Sequence, residues 1–505
     1  MTLLTTLLSL PPSTYLLLLL LLPPLLYLLL TPHTTKNNPL SRFPGPLIAR
    51  YTYLYIFHHM WSAPLDTFLL GLHATYGPVV RIGPNDILLG DADEIIRTNS
   101  LRSTWTRSDW FKNMDFDFEN YSVVTLPGVE EHDRRKAKLL RSYEGRGTAD
   151  LEGVIDGQLE ILVDLLRKKA RGDEKGVVDW AQVARWFGMD VATVAVTGEA
   201  WGDLREERDK FGFFEIGGRL VPFMHCVAMW AGLRRVTSSK WFMRNLGPKV
   251  TDEKGLGKFM GWVKANVERR GSEDGAQGDM LADWLKGGLS RRDAETEGVT
   301  AVIAAADTAA APLRSIMLHI ATSPSAYNKL KAELAESIRD KRISSTITYA
   351  EAQKLPYLQA VLHEGMRILP VTMTGFGKRV GPEGDTLCGI PVPPETEVYP
   401  NNQALMYSKD VFGEDVNVFR PERWIEADAE RRVVMRNYVD ILFSKGRWQC
   451  PGKIMAWMEM NKVFVEVLRQ FDVQVVNPGR PWKMRAYSTV VIEDFEVKFT
   501  EARLG

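Results

Sequence analysis

The decapeptide Phe443–Gly452, FSKGRWQCPG, constrains this chain more than any other stretch. Gly446 permits a tight turn, because glycine enters the left-handed region of φ at no steric cost. Pro451 suits the first turn of a helix, and the residues after it, KIMAWMEMNKVFVEVLRQF, have helical spacing of apolar positions. Cys450 is therefore expected at a helix N-terminus, where free N–H groups and the macrodipole favour a thiolate over a thiol. A lone thiolate presented this way can be a nucleophile or an axial ligand to a haem iron, and a buried, inert cysteine is the third reading. A nucleophile needs a nearby base, and no cysteine-hydrolase signature surrounds this one.

Composition narrows the class. The 505 residues fit about three domains or one large single-core enzyme. Hydrophobic residues at 45% and charged residues at 25% are globular values that exclude disorder as the main state. Lys+Arg and Asp+Glu balance at 63 each, so no net basic charge points to nucleic acid as a partner. Three cysteines, Cys226, Cys388 and Cys450, are too few for a disulfide framework in a chain of this length, which places the body in a reducing compartment.

Residues 1–35 carry no Lys, Arg, Asp or Glu, and Tyr15–Leu30 is almost entirely leucine. A bilayer core takes about 20 apolar residues, so Leu3–Leu30 is long enough to span it, and Pro23-Pro24 would kink that helix. A cleaved signal is the alternative, but the basic n-region and small-residue cleavage site are missing. Lys36, Arg42 and Arg50 follow the segment and orient the body toward the cytosol. The expected organisation is a single-pass anchor over residues 1–30, a proline-rich hinge over 31–46, and one catalytic domain over 47–505. The sequon Asn120-Tyr121-Ser122 should then stay unmodified.

The body reads as mainly α with small β-sheets. Leu151–Arg171, Leu330–Lys341 and Lys453–Phe471 have helical periodicity. Short strands are expected at Val79–Ile82, Ile87–Leu89, Glu397–Tyr399, Val490–Ile492 and Phe495–Phe499, and Gly271–Gly278 reads as a surface loop. Gly255–Gly261, GLGKFMG, has the wrong spacing for a dinucleotide-binding turn.

Several motifs now resemble one family, and in its order. FSKGRWQCPG resembles the haem-binding loop of the cytochrome P450 superfamily, with Phe443, Gly446, Cys450 and Gly452 in place. Trp448 stands where the family usually has an arginine, and Arg447 is one residue earlier. Glu364-Gly365-Met366-Arg367 resembles the family's Glu-x-x-Arg, whose partner arginine would be Arg423 of Pro421-Glu422-Arg423. Ala301–Ala311, AVIAAADTAAA, resembles the long central helix with its acid–alcohol pair, here Asp307 and Thr308. RSDWF at Arg107–Phe111 and LLRSYEGRG at Leu139–Gly147 also resemble fungal microsomal members of the pisatin-demethylase-like kind.

The resemblance implies a cytochrome P450 fold after one transmembrane helix, and a haem b whose iron is bound by Cys450. It implies a monooxygenase that inserts one oxygen atom from O2 into a lipophilic small molecule, in fungal secondary metabolism. Electrons would come from NADPH through a separate membrane-bound cytochrome P450 reductase, with cytochrome b5 a second partner, at the endoplasmic reticulum membrane. Asp307 and Thr308 would relay protons, and Thr308 can bond back to the carbonyl of Ala304 and loosen the helix. His132, Lys136 and Arg379 are the expected haem propionate contacts, beside Arg447 and Trp448; Glu364, Arg367 and Arg423 would be structural. Lys136, Lys138, Arg134 and Arg447 are the expected reductase contacts. Trp110–Phe118, Phe211–Trp230, Val371–Phe376 and Tyr487–Val490 correspond to pocket-lining regions. Two rival functions share the haem: a haem-thiolate isomerase, dehydratase or peroxide-dependent enzyme, and a non-catalytic membrane-tethered haem sensor or binding protein.

Overall fold

Amphipathic helices make most of the core in the computed structural model, which describes residues 38–62, 64–117, 119–147, 150–173, 175–270 and 278–502. The expected anchor over residues 1–30 and nearly all of the Gly271–Gly278 loop lie outside the described residues. The helix Leu151–Arg171 shows how the sequence builds these elements. Asp150 caps it by accepting the Gly153 N–H at 3.0 Å, a contact worth about 1 kcal/mol. Ile155, Leu159, Leu162 and Leu166 form its buried stripe, and Lys168, Lys169 and Arg171 suit the dipole in its last turn.

The central helix begins at Arg291, breaks at Ala309 and continues over Ala310–Ala321. The break has a covalent cause. Pro312 has no N–H, so the carbonyl of Thr308, four residues back, loses its helical donor. This helix is apolar and long enough to cross a bilayer, but 67% of its apolar window is buried. It is a core element. The helix Trp180–Thr197 runs beside it, and Gly188 allows the closest approach, since a β-carbon there would stand 2.9 Å from the carbonyl of Ala306.

Five short strands form the largest sheet, in the order Val79–Arg81, Asp86–Leu89, Glu397–Pro400, Lys378–Arg379 and Thr106–Arg107. Only the Asp86–Leu89 and Glu397–Pro400 neighbours are parallel. Arg107 pairs with Lys378 and Thr106 with Arg379, so Arg107 and Lys378 project from one face. A second sheet joins Val177–Asp179, Glu496–Glu501 and Phe471–Val475, and two hairpins complete the β structure. A buried ion pair, Arg234 to Glu397 at 3.0 Å, fastens the segment Ala231–Thr237 to the large sheet.

The fold is mainly helical with small sheets, as the sequence indicates. The stretch expected as a hinge is shorter than 31–46 at its C-terminal end. Leu40 and Phe43 are buried, and Pro44 accepts the Arg81 N–H at 2.8 Å, so this part docks on the sheet.

Candidate functional site

Two elements deep in the molecule keep accessible surface. On the central helix, Ala304 and Thr308 are exposed although Val302, Ala306, Ala309 and Ala310 are buried, and Ala301 and Ala305 on the same face are partly open. On the cysteine loop, Cys450 is exposed, yet burial is the largest influence on its thiol. Both therefore face an interior space and not bulk water. The charges of Cys450 and of Glu297 on the central helix both act on Arg107, which places Arg107 between the two elements.

The loop is shaped by hydrogen bonds and one glycine. The N–H of Cys450 donates to the carbonyl of Phe443 at 2.7 Å. Gly446 has φ +56°, and a β-carbon there would stand 2.3 Å from the carbonyl oxygen of Asn99, so no other residue fits. The helix starts at Lys453 with Gly452 as its cap; Pro451 precedes the helix and is not in its first turn. The amides of Gly452 and Lys453 point at the sulfur and, with Lys136 and Arg107, favour the thiolate. Burial outweighs them, and the thiol pKa is raised. The amides act in the direction expected of the helix N-terminus, and burial of the sulfur opposes them.

Around Trp448 lies a set of donors with too few acceptors, Arg107 reaching the Val124 carbonyl and His132 Nδ1 the Asp133 carboxylate at 2.9 Å. The Lys378 ammonium is 4.7 Å and the Arg107 guanidinium 5.0 Å from the Trp448 ring, and the His132 ring is 4.6 Å from it. Trp448 Nε1, His132 Nε2 and Arg107 Nε are buried with no partner. Burial and Arg107 push the Lys378 ammonium far down, burial brings Arg107 to about 9, and burial with Arg107 brings His132 to about 4. Basic groups this crowded, with buried nitrogens left over and no carboxylate of the described residues on Arg107 or Lys378, describe an anion's binding site.

Three residues expected among these contacts are engaged elsewhere. Arg379 projects from the opposite face of its two-residue strand and bonds Asp109 at 2.8 Å and Glu395 at 3.1 Å. Arg447 bonds Asp133 at 3.0 Å and the carbonyls of Ser103 and Leu101 at 3.1 and 2.8 Å. Lys136 donates to the carbonyls of Arg447 and Gln449 at 2.7 and 2.8 Å, so it holds the cysteine loop from behind. These bonds also remove Lys136 and Arg447 from the exposed reductase-facing charges, and Lys138 donates to the Gly288 carbonyl at 2.7 Å. Lys378 and Arg107 were missed as anion contacts: a two-residue strand carries no alternation from which to read its inward side.

Glu364 accepts from Arg367 at 2.8 and 2.9 Å, from Arg423 at 3.0 Å, from the Trp424 indole at 2.9 Å and from the Arg420 amide at 3.0 Å. All three charged side chains are buried, and the carboxylate stays ionised because its donors outweigh its desolvation.

On the central helix the Thr308 hydroxyl donates to the Ala304 carbonyl at 2.6 Å. Asp307 turns away from it, to Arg185 at 3.1 Å and Arg314 at 2.9 Å, and these two cations overcome burial and lower its pKa. The two residues do not form one hydrogen-bonded relay.

The arrangement offers one sulfur ligand, a flat space against small residues, and a basic cradle for carboxylates. Among the described residues no group of three or more His, Cys, Asp or Glu could hold a metal ion. A profile described as Cytochrome P450 matches residues 50–499. The chain belongs to the cytochrome P450 family. It is 34% identical to cytochrome P450 monooxygenase aba1 of Botryotinia fuckeliana, over 92% of each chain. It is also 34% identical to cytochrome P450 monooxygenase ABA1 of Pyricularia oryzae, again over 92% of each. Pisatin demethylase of Fusarium vanettenii is 25% identical over 89% of this chain and 88% of its own length. As a P450 monooxygenase the protein takes haem b, and the residues described fit that group: a thiol for the iron, a small-residue face for the macrocycle and a basic cradle for two propionates.

Proposed function

We propose that this P450 inserts one oxygen atom from O2 into a lipophilic small molecule of fungal secondary metabolism, with electrons from NADPH through a separate reductase. The observation that carries the reading is the accessible, amide-lined thiol of Cys450 beside a basic cradle with orphan nitrogens on Arg107, His132 and Trp448. Cys450 would be the axial ligand, and Phe443, Gly446 and Gly452 keep its loop in shape. Arg107, Lys378, Trp448 and His132 would hold the propionates. An anion at His132 Nε2 favours the doubly protonated ring, whose Nδ1 already faces Asp133 at 2.9 Å. Glu364, Arg367 and Arg423 lock the segment that supports the loop.

When bound, the thiolate-ligated haem supplies the activation of dioxygen and the transfer of one oxygen atom. The chain's task is protons and exclusion of water. Pro312 and the Thr308 back-bond leave the Thr308 carbonyl and the Ala304 turn loosened, which makes room for a water chain. The Thr308 hydroxyl can swing from Ala304 to donate toward the space. Asp307, held ionised by Arg185 and Arg314, positions and polarises that chain from behind.

Membrane attachment is supported by an exposed apolar belt. Leu47, Leu54 and Trp61 lie on one side of it and Leu220, Phe223 and Trp241 on the other, bridged where Phe57 meets Trp230 at 5.8 Å. Patches of this kind mark interaction surfaces, and the Leu47, Leu54 and Trp61 side of this one lies on the segments that follow the leucine-rich N-terminus. The anchor over residues 1–30, the cytosolic body and the endoplasmic reticulum, with cytochrome b5 as a second donor, complete the proposal.

The test is the spectrum of the dithionite-reduced protein under carbon monoxide, beside Cys450→Ala, followed by turnover with NADPH and reductase. A strongly red-shifted Soret band lost in the variant supports the reading. A band that survives the substitution, or a protein that takes up no haem, removes it.

A further inference from the structure

Trp110, His225 and Ser488 come from three separate segments: the turn Asp109–Met114, the helix Phe213–Ala228, and the connection between the strands Lys483–Ala486 and Val490–Glu493. The Trp110 and His225 rings lie 5.9 Å apart, and Tyr487, next to Ser488, lies 6.3 Å from His225. Gly375, at φ +85°, lets Ser488 and Trp110 close in on one point. A β-carbon there would stand 2.7 Å from Ser488 Oγ and 3.3 Å from Trp110 Cζ2.

Each of the three residues carries a buried polar atom without a partner: Trp110 Nε1, His225 Nδ1 and Ser488 Oγ. Thr374 Oγ1, beside Gly375, is a fourth. Buried polar groups in folded proteins nearly always have partners, so several orphans at one spot indicate a group that binds there. The set can donate, and it is uncharged: burial alone holds the His225 imidazole down at about 4. Its surroundings are aromatic. Phe376 lies 4.9 Å from Trp110 and 5.8 Å from Phe111, and Phe111 lies 4.6 Å from the Arg107 guanidinium. The cluster is therefore one ring away from the basic cradle, at the edge of the interior space.

We propose that Trp110, His225 and Ser488 form a polar anchor that receives an uncharged oxygen, a carbonyl or a hydroxyl, on an otherwise apolar substrate. The inference rests on the haem monooxygenase reading above. A hydrocarbon would leave the three groups unpaired, and a carboxylate would bring a charge into a cluster that has none to meet it.

The probes are 1-dodecylimidazole and its analogue with a ketone near the far end of the tail, titrated into the ferric holoprotein. The imidazole ligates the iron and reports binding as a red-shifted Soret band, while the tail samples the anchor. The ketone is expected to bind roughly three- to tenfold tighter, the value of about one hydrogen bond. Trp110→Phe and Ser488→Ala should each shrink that preference and leave the affinity of the plain alkyl probe unchanged; the reduced carbon-monoxide band checks that each variant retains its haem, and either one suffices. Equal affinities in the native protein, or variants that weaken both probes alike, overturn the anchor and assign the orphan atoms to bound water. An analogue ending in a carboxylate that binds tighter than the ketone also overturns it. Failure of the underlying reading looks different: no spectral response to either probe and no carbon-monoxide band.

Discussion

Arg107 and Lys378 stand directly opposite each other in an antiparallel strand pair, both pointed at the Trp448 indole. Like charges in this position repel, and no carboxylate of the described residues bonds to either. The pair makes sense as half of a site whose other half is a dianion.

Replacing Lys378 with Met should therefore act in opposite directions on two measurements. The apoprotein should gain about 1–3 kcal/mol, since a buried amine that must give up its proton on folding is removed. Haem should leave the holoprotein at least about tenfold faster, the loss of one charged hydrogen bond. Arg379→Met should leave haem release unchanged, because Arg379 is bound to Asp109 and Glu395. Urea unfolding of the apoprotein and haem transfer to an acceptor globin read the two effects.

The stability of the apoprotein should rise with pH in two windows. His132 titrates at about 4 when folded and near 6.5 when unfolded, so between these values the unfolded chain binds more protons and folding weakens as pH falls. At about 1.4 kcal/mol per unit this amounts to about 3 kcal/mol. Lys136, at about 8 against 10.5 unfolded, has the same sign over the alkaline range. Haem should shrink the acidic window, because a propionate at His132 Nε2 favours the protonated ring in the folded protein. Unfolding midpoints across pH 4–10 check this, and a His132→Asn apoprotein that keeps the acidic slope would contradict it.

Thr308→Ala should preserve the carbon-monoxide band and lower the yield of product per dioxygen consumed by tenfold or more, within the range for loss of a proton-transfer group. Asp307→Asn should do more. It leaves the buried Arg185 and Arg314 without their counter-charge and should cost about 3 kcal/mol of stability as well as turnover. Comparing oxygen uptake, product and unfolding in the two variants separates the chemistry from the clamp.

Gly446→Ala and Gly389→Ala make a matched pair. Both positions have positive φ, at +56° and +80°. At Gly389 nothing lies within reach of a β-carbon, so only the conformational penalty of about 1 kcal/mol applies. At Gly446 the Asn99 carbonyl is in the way as well, and the cysteine loop should no longer accept haem. Haem content per protein, measured on both variants, tests the difference.

The parts legible in the sequence are those whose pattern is long or strict. Leu151–Arg171 repeats its apolar stripe for five turns and ends where expected, and the Glu364–Arg367–Arg423 cluster needs both arginines to satisfy one buried carboxylate. The Thr308 back-bond follows from helix geometry alone. What escaped depends on parity or competition. Lys378 and Arg379 are adjacent, and only the register against Thr106 and Arg107 decides which faces inward. Arg447 and Lys136 are basic residues in the right neighbourhood, but Asp133 and the loop carbonyls compete for them at distances that no linear spacing reveals. At Cys450 the helix terminus is visible in sequence, and the desolvation that opposes it is not.

Glu397 binds the Arg234 guanidinium at 3.0 Å and the Asp109 amide at 2.9 Å. Parting that buried pair takes about 3–5 kcal/mol, so roughly one molecule in a thousand has it open at any moment. The helices Phe213–Ala228 and Ala231–Thr237 therefore behave as a drawbridge bolted at one end. Any swing falls on the Phe213–Ala228 helix ahead of the bolt, where Pro222 removes the donor to the Gly218 carbonyl and Gly217 has nothing packed against it. That weak turn lies six residues from the Ala228 carbonyl that anchors Arg234 at 2.6 Å.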